Sequence, residues 1–327
     1  MSTIPPLLIL DGGTGRELAR QGAPFRQPEW SALALLEGPQ FVSQVHQAYL
    51  AAGADLITTN SYALVPFHLG ESRFADQGAR LAALAGQLAR DAVTRWMAQR
   101  AAVGSTAGSR TASRPAPRVA GSLPPVCGSY RADLFDAAQM RCVLQVLVTA
   151  LAPHVDLWLA ETLSTTAEAQ AVRDVLGNDP RPLWLSFTLQ DGEDAATTPS
   201  LRSGESVAAA VQTALRLNAT ALLFNCSQPE VMAAAVCEAI RVLNEGGRAL
   251  PVGVYANAFP PQPAEAEANA GLDPIRDDLT PAGYAAFAER WWALGASMVG
   301  GCCGIGPEHV AALRAALDAR TPRVIAP

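Results

Sequence analysis

With 327 residues, half of them hydrophobic, the chain can bury a sizeable core, as one large domain or two small ones. A formal charge of −6 and a pI near 5.3, without any Lys/Arg-rich run, argue against a nucleic-acid surface. Residues 1–6 lack a basic stretch, and the apolar run Leu7–Leu10 is too short for a signal peptide or a membrane span. The six cysteines do not form a secreted disulfide pattern, so a soluble, cytoplasmic protein with reduced thiols is expected.

Short apolar runs recur along the chain, each followed by a stretch with helical spacing. Leu7–Leu10 leads into Asp11-Gly12-Gly13-Thr14, and Asp55–Thr59 into Asn60-Ser61-Tyr62. Arg118–Ser122 is the third run, Val155–Ala160 the fourth, ending in Glu161-Thr162. Pro182–Leu189, Thr220–Phe224, Leu250–Tyr255 and Ala296–Gly300 complete the set, the last three ending in Asn225-Cys226, Ala256-Asn257 and Cys302-Cys303. Near-continuous apolar runs suit parallel strands buried on both faces. The segments between them, Pro39–Ala52, Arg73–Gln99, Asp136–Ala152, Thr165–Leu176, Glu205–Leu217, Pro229–Asn244, Pro281–Leu294 and Pro307–Leu317, have helical periodicity, several opening on proline. Eightfold strand–helix alternation predicts an α/β fold of the (β/α)8 TIM-barrel type, a single domain over 1–327. A doubly wound sheet is the alternative, but no Gly-x-Gly-x-x-Gly loop follows an early strand. Two segments read as insertions. Residues 101–117, rich in Ala, Ser, Thr, Gly and Pro, form an expected flexible loop at the bottom of the barrel. Residues 259–278, following the seventh strand, are either a lid over the active face or a solvated surface loop.

The uncommon residues gather at one place. Asp11, Asn60, Glu161, Cys226, Asn257, Cys302 and Cys303 all fall at the carboxyl ends of predicted strands, the rim that carries the active site in this fold. Neighbouring residues on a strand point to opposite faces, so Cys302 and Cys303 can share a target only where the backbone turns, which their flanking glycines permit. With Cys226 they are candidates for one metal ion: three thiolates and an open fourth position match a catalytic zinc site. A pair of core cysteines is the plainer reading, and a strained vicinal disulfide another, opposed by a reducing compartment. Asp11 could instead cap a helix and Glu161 could cap or bridge. Thr14 could cap or touch substrate, Asn60 and Asn257 could orient ligands or brace loops, and Tyr62 could face a ligand or pack. Cys142 and Cys237, among apolar helical neighbours, read as buried thiols, Cys127 as a rim residue, and His309 as structural.

Asp11-Gly-Gly-Thr-Gly, Gly53-Ala-Asp-Leu-Ile-Thr-Thr-Asn, Glu161-Thr, Asn225-Cys226 and Gly300-Gly-Cys-Cys-Gly resemble the zinc-dependent homocysteine S-methyltransferases, from about Leu8 to about Val310. The resemblance implies Zn2+ held by Cys226, Cys302 and Cys303. It also implies that Asp11, the Gly12 backbone and Glu161 hold the amino-acid end of homocysteine. Neither a cobalamin-binding module after the barrel nor a long carboxyl-terminal extension is expected. It is most similar to the compact enzymes that use S-methylmethionine or S-adenosylmethionine. A thiol is a poor nucleophile until ionised, and an electron-rich three-thiolate site suits alkyl transfer better than water activation. The small-molecule partners expected are therefore homocysteine and a sulfonium donor, with methionine as product. Open alternatives are a betaine or methyl-corrinoid donor, another thiol or a selenol acceptor, and a zinc-bearing thiol sensor without turnover.

Overall fold

The computed structural model describes residues 7–103, 114–263 and 274–320. Among these, eight strands alternate with helices. In chain order they are β1 (Leu8–Ile9), α1 (Thr14–Arg20), α2 (Ala32–Glu37), α3 (Pro39–Ala52), β2 (Leu56–Thr58), α4 (Pro66–Leu69), α5 (Glu71–Val103) and β3 (Arg118–Leu123). There follow α6 (Ala137–Leu151), β4 (Leu157–Leu163), α7 (Thr166–Leu176), β5 (Leu183–Phe187), α8 (Val207–Arg216), β6 (Ala221–Asn225) and α9 (Pro229–Glu245). The chain closes with β7 (Val252–Ala256), α10 (Pro281–Ala293), β8 (Met298–Gly301) and α11 (Pro307–Arg320). Each expected strand is present, with ends shifted by a few residues.

All strand pairs are parallel, in the order β1-β8-β7-β6-β5-β4-β3-β2. The ring closes where Leu10 bridges Leu56 and the Asp55 amide donates to the Ile9 carbonyl at 2.7 Å. This is the (β/α)8 barrel. Alternate side chains point outward and inward along each strand. Ile9, Ile57, Val119, Trp158, Leu185, Leu222, Val254 and Val299 pack outward under the helices. Leu10, Leu56, Ala120, Leu159, Trp184, Leu223, Tyr255 and Met298 fill the lumen. Both faces are thus buried, which is why the strands read as continuous apolar runs.

The helices missing from the expected set, α1, α2 and α4, have seven, six and four residues, too few to repeat a 3.6-residue period convincingly. Longer helices start where local chemistry says they should. Thr165 and Glu168 form a capping box at α7, and Thr280 caps α10 ahead of Pro281. β4 runs past its expected end at Ala160, and its register with β5 shifts between Ala160 and Leu163. That irregularity lifts Glu161 and Thr162 out of a plain ladder, as bulges beside functional sites do.

The two expected insertions lie only in part among the described residues, with 104–113 and 264–273 outside them. Arg114, at the near edge of the first, pairs at 2.7 Å with Asp55, just before β2 and so at the amino end of the barrel. No helix among the described residues is long and apolar enough to cross a membrane. One expectation is corrected. Cys142 and Cys237 are exposed, not buried. α6 buries Met140, Val143, Leu144 and Leu147, and at 100° per residue Cys142 falls on the opposite face. Cys237 likewise lies off the face that α9 buries through Met232, Val236, Ala239 and Leu243.

Candidate active site

A cavity of about 160 Å3 opens at the carboxyl rim. Its lining includes Asp11, Gly12, Thr14, Asn60, Glu161, Cys226, Cys302 and Cys303, so all but one of the seven residues placed at strand ends in the sequence meet there, while Cys127 stays outside it. Asn257 is the exception. It is fully buried, accepts from the Phe259 amide at 3.2 Å and braces its own turn.

The cysteines come together because both strand ends bend. β8 stops at Gly301, and Cys302–Gly304 turn, with Ile305 N donating to Cys302 O at 3.0 Å and Gly304 in the left-handed region at φ 85°. The turn is sewn to β7: Cys302 N donates to Ala256 O and Ala258 N to Cys303 O, each at 2.8 Å. Below it the Tyr284 hydroxyl from α10 donates to Gly300 O at 2.7 Å. From the other side Gly13 lies so close that a Cβ there would stand 2.4 Å from the Cys302 carbonyl oxygen. At β6, Cys226 itself is left-handed, with φ 55°. The result is three Sγ atoms within 4.8 Å of one another.

Their chemistry fits a cation. The hydrogen bonds from Cys226 and Cys302 hold the Cys303 thiol well below the usual thiol range, with the Arg16 charge helping despite burial. Cys302 is pushed far up by its hydrogen bonds to Cys226 and Cys303 and by burial. Cys226 rises to about 12: the hydrogen bond from Cys302 opposes this, but the one to Cys303 and burial outweigh it. The thiolate form is thus favoured at Cys303 over its two neighbours. Three thiolates would repel one another in this buried space, and a dication relieves that.

Two carboxyls face the same cavity. Asp11 accepts from Thr58 N at 2.7 Å and Thr58 Oγ1 at 3.1 Å. Burial nevertheless carries its pKa to about 7, those bonds offsetting only part and Glu161 adding repulsion. It does not cap α1, whose N-cap is Gly13. Glu161 takes a short hydrogen bond from Ser122 Oγ and one at 3.3 Å from the Tyr255 hydroxyl. It too is raised to about 7 by burial, against the Ser122 bond and with help from Cys226. Thr14 opens α1 without a side-chain cap bond and lines the cavity. Asn60 spends its Nδ2 on Ser31 O at 3.0 Å. Tyr62 lines the cavity, its hydroxyl bonded to Ser129 Oγ. Cys127 bonds Gln139 Oε1 at 3.4 Å, and His309 is fixed between Gly306 N and Leu279 O.

The site has relatives. The homocysteine S-methyltransferase family model matches residues 8–317. The chain belongs to the homocysteine S-methyltransferase family. Homocysteine S-methyltransferase 1 of Brassica oleracea var. italica is 30% identical, over 95% of this chain and 94% of its own. The homocysteine S-methyltransferase of Escherichia coli K12 is also 30% identical, over 94% of each chain. The selenocysteine methyltransferase of Astragalus bisulcatus is 28% identical, over 92% of this chain and 90% of its own. In three dimensions the metallated form of the E. coli homocysteine methyltransferase MmuM superposes with a TM-score of 0.70 at 29% identity, covering 94% of this chain and 96% of that one. The family resemblance read from the motifs, and the enzyme class, are therefore correct.

The structure of this family member also shows residues that sequence reasoning passed over. Tyr130, Tyr255 and Ser122 touch Cys226 or Glu161 directly. Asn225, noted only as the neighbour of Cys226, reaches past β5 to clasp Thr162 on β4. Tyrosine and serine in apolar strands carry no spacing that marks them. Tyr130 alone left a weak signal, in the turn-forming Cys127-Gly-Ser-Tyr130 stretch on the active rim.

Proposed function

We propose that the chain transfers a methyl group from a sulfonium donor, S-methylmethionine or S-adenosylmethionine, to the thiol of L-homocysteine, with zinc held by Cys226, Cys302 and Cys303. The observation that carries this reading is the meeting of those three sulfurs, from β6 and β8, in one cavity with Asp11 and Glu161. Zinc bound there would act as a Lewis acid that favours the ionised form of a thiol presented to it.

The chain's own groups do the rest by placement. Asp11 and Glu161, poised near neutrality, would ionise against the substrate ammonium and hold it by charge-assisted hydrogen bonds. Gly12 and Thr14 line the same cavity as Asp11, where the other end of the amino acid would rest. Asn60 and Asn257 brace the rim. Trp30 and Tyr62 line the cavity with aromatic surface suited to a sulfonium cation. The substrate sulfur attacks the methyl carbon in line, and the C–S electron pair leaves with the donor sulfur. The donor ends as a neutral thioether and the acceptor as methionine. Alignment supplies the rate, and no side chain has to take a proton from the transferred carbon.

The selenocysteine methyltransferase relative favours one extension: the same site would accept a selenol. The test measures zinc per chain, then methionine formed from homocysteine with each donor separately. One zinc per chain and methionine with a sulfonium donor are expected. Cys226→Ala and Cys302→Ser should lose zinc and activity together while staying folded. Full activity in zinc-free protein would falsify the reading. A thiol-dependent metal spectrum without turnover would show a binding protein instead.

A further inference from the structure

The geometry points to Tyr130 as a positioning residue for Cys226: its hydroxyl donates to the Cys226 sulfur, and the buried Arg202–Asp191 pair holds it there. This rests on the three-thiolate metal site proposed above. The Tyr130 hydroxyl lies 2.9 Å from Cys226 Sγ and 3.2 Å from the Cys226 carbonyl oxygen. Its backbone is left-handed, φ 68°, a conformation that aromatic residues seldom adopt unless the surroundings impose it. The Arg202 guanidinium covers the ring at 4.6 Å. Arg202 pairs with Asp191 at 2.9 Å, and both side chains are only 1% exposed.

The pair also ties the turn after Cys226 to the segment after β7. Asp191 accepts from Gln228 N at 2.8 Å, two residues past Cys226, and from Gln262 N at 3.0 Å, after β7. Arg202 donates to Gln262 O at 3.1 Å and Pro263 O at 3.2 Å. So a charged clasp fixes the turn after Cys226, and a phenol whose face it covers rests on the sulfur itself. A thiolate can only accept hydrogen bonds, so once Cys226 is ionised the phenol is the donor. Donation draws charge from one sulfur of three and holds it toward Cys302 and Cys303. Hydrogen-bond partners behind a metal ligand act in this way on affinity and electron density. A phenol serving only the carbonyl would leave the sulfur's electrons untouched, which separates the two roles.

The test uses Tyr130→Phe in the full chain, with thermal unfolding of the metal-free forms as the folding check. Zinc dissociation constants are read by competition with a chelator of known affinity, and the variant's should rise roughly tenfold. With cobalt(II) in place of zinc, the thiolate-to-metal charge-transfer band should move to lower energy, because the sulfur lone pair loses its hydrogen bond. A dissociation constant within about twofold of wild type, with an unmoved band, would overturn the inference while leaving the metal site intact. Failure of the wild type to take up either metal would remove the metal site and this inference together. A zinc-loaded crystal structure of the wild type gives a check that needs no variant. The Tyr130 hydroxyl should remain within hydrogen-bond reach of Cys226 Sγ, and a hydroxyl turned away would overturn the inference.

Discussion

Truncating Asn225 should unsettle the cavity from a residue that does not line it. Asn225 is fully buried on β6 and reaches across β5 to β4. Its Oδ1 accepts from Thr162 N at 2.9 Å and Ser186 Oγ at 2.7 Å, and its Nδ2 donates to Thr162 Oγ1 at 2.8 Å. These bonds hold Thr162 at φ 58°, a strained setting for a β-branched residue, and Thr162 directly follows Glu161. Asn225→Ala leaves three polar groups without that partner. The two hydroxyls can rotate to other partners, so the Thr162 amide bears most of the penalty, about 2 kcal/mol, and the small cavity adds to it, for about 3 kcal/mol in all. Unfolding entropy for 327 residues is about 0.7 kcal/mol per kelvin, so the melting temperature should fall by about 4 °C. Glu161 loses its fixed aim at the same time, so KM for homocysteine should rise more than kcat falls. Calorimetry and steady-state kinetics on the folded variant test both effects. A melting temperature within about 1 °C of wild type, with KM unchanged, would refute the clasp.

His46 on α3 is fully buried, and burial holds its pKa down at about 4, from an ordinary 6.5. Between those values the unfolded chain binds a proton that the fold refuses, so stability falls as pH drops from 6.5 toward 4. The loss should reach about 2 kcal/mol near pH 5 and about 3 kcal/mol in full. His46→Leu should flatten that part of the urea-unfolding profile, and identical slopes would exclude His46 as its source. Gly13→Ala puts a methyl group 2.4 Å from the Cys302 carbonyl oxygen and 2.9 Å from Cys303 Cα, against backbone that cannot swing aside. Zinc content and methyl transfer should drop together; a fully active, zinc-replete variant would contradict the close approach. Glu161→Gln keeps the shape but removes the charge, so KM for homocysteine should rise roughly tenfold or more with a smaller change in kcat.

Much of this was legible in the chain itself. Leu222 and Phe224 face outward while Leu223 and Asn225 face the lumen, because strand geometry alternates whatever the strand's neighbours are. The ends of the apolar runs placed Cys226, Cys302 and Cys303 at strand ends, and the glycines around the pair announced the turn. Where it failed, the reason is visible. α6 and α9 are amphipathic, and apolar neighbours in sequence are not neighbours on one helical face, so Cys142 and Cys237 came out exposed.

The eight staves, their inward faces and the rim that bears the thiols follow from periodicity, a property each segment carries alone. Which side chains touch across that rim does not. Tyr130 reaches Cys226 from 96 positions away, and Asn225 reaches Thr162 from 63. Such meetings depend on the register between strands and on how far each turn bends, and both are settled only when the barrel closes and all eight strands share one lumen.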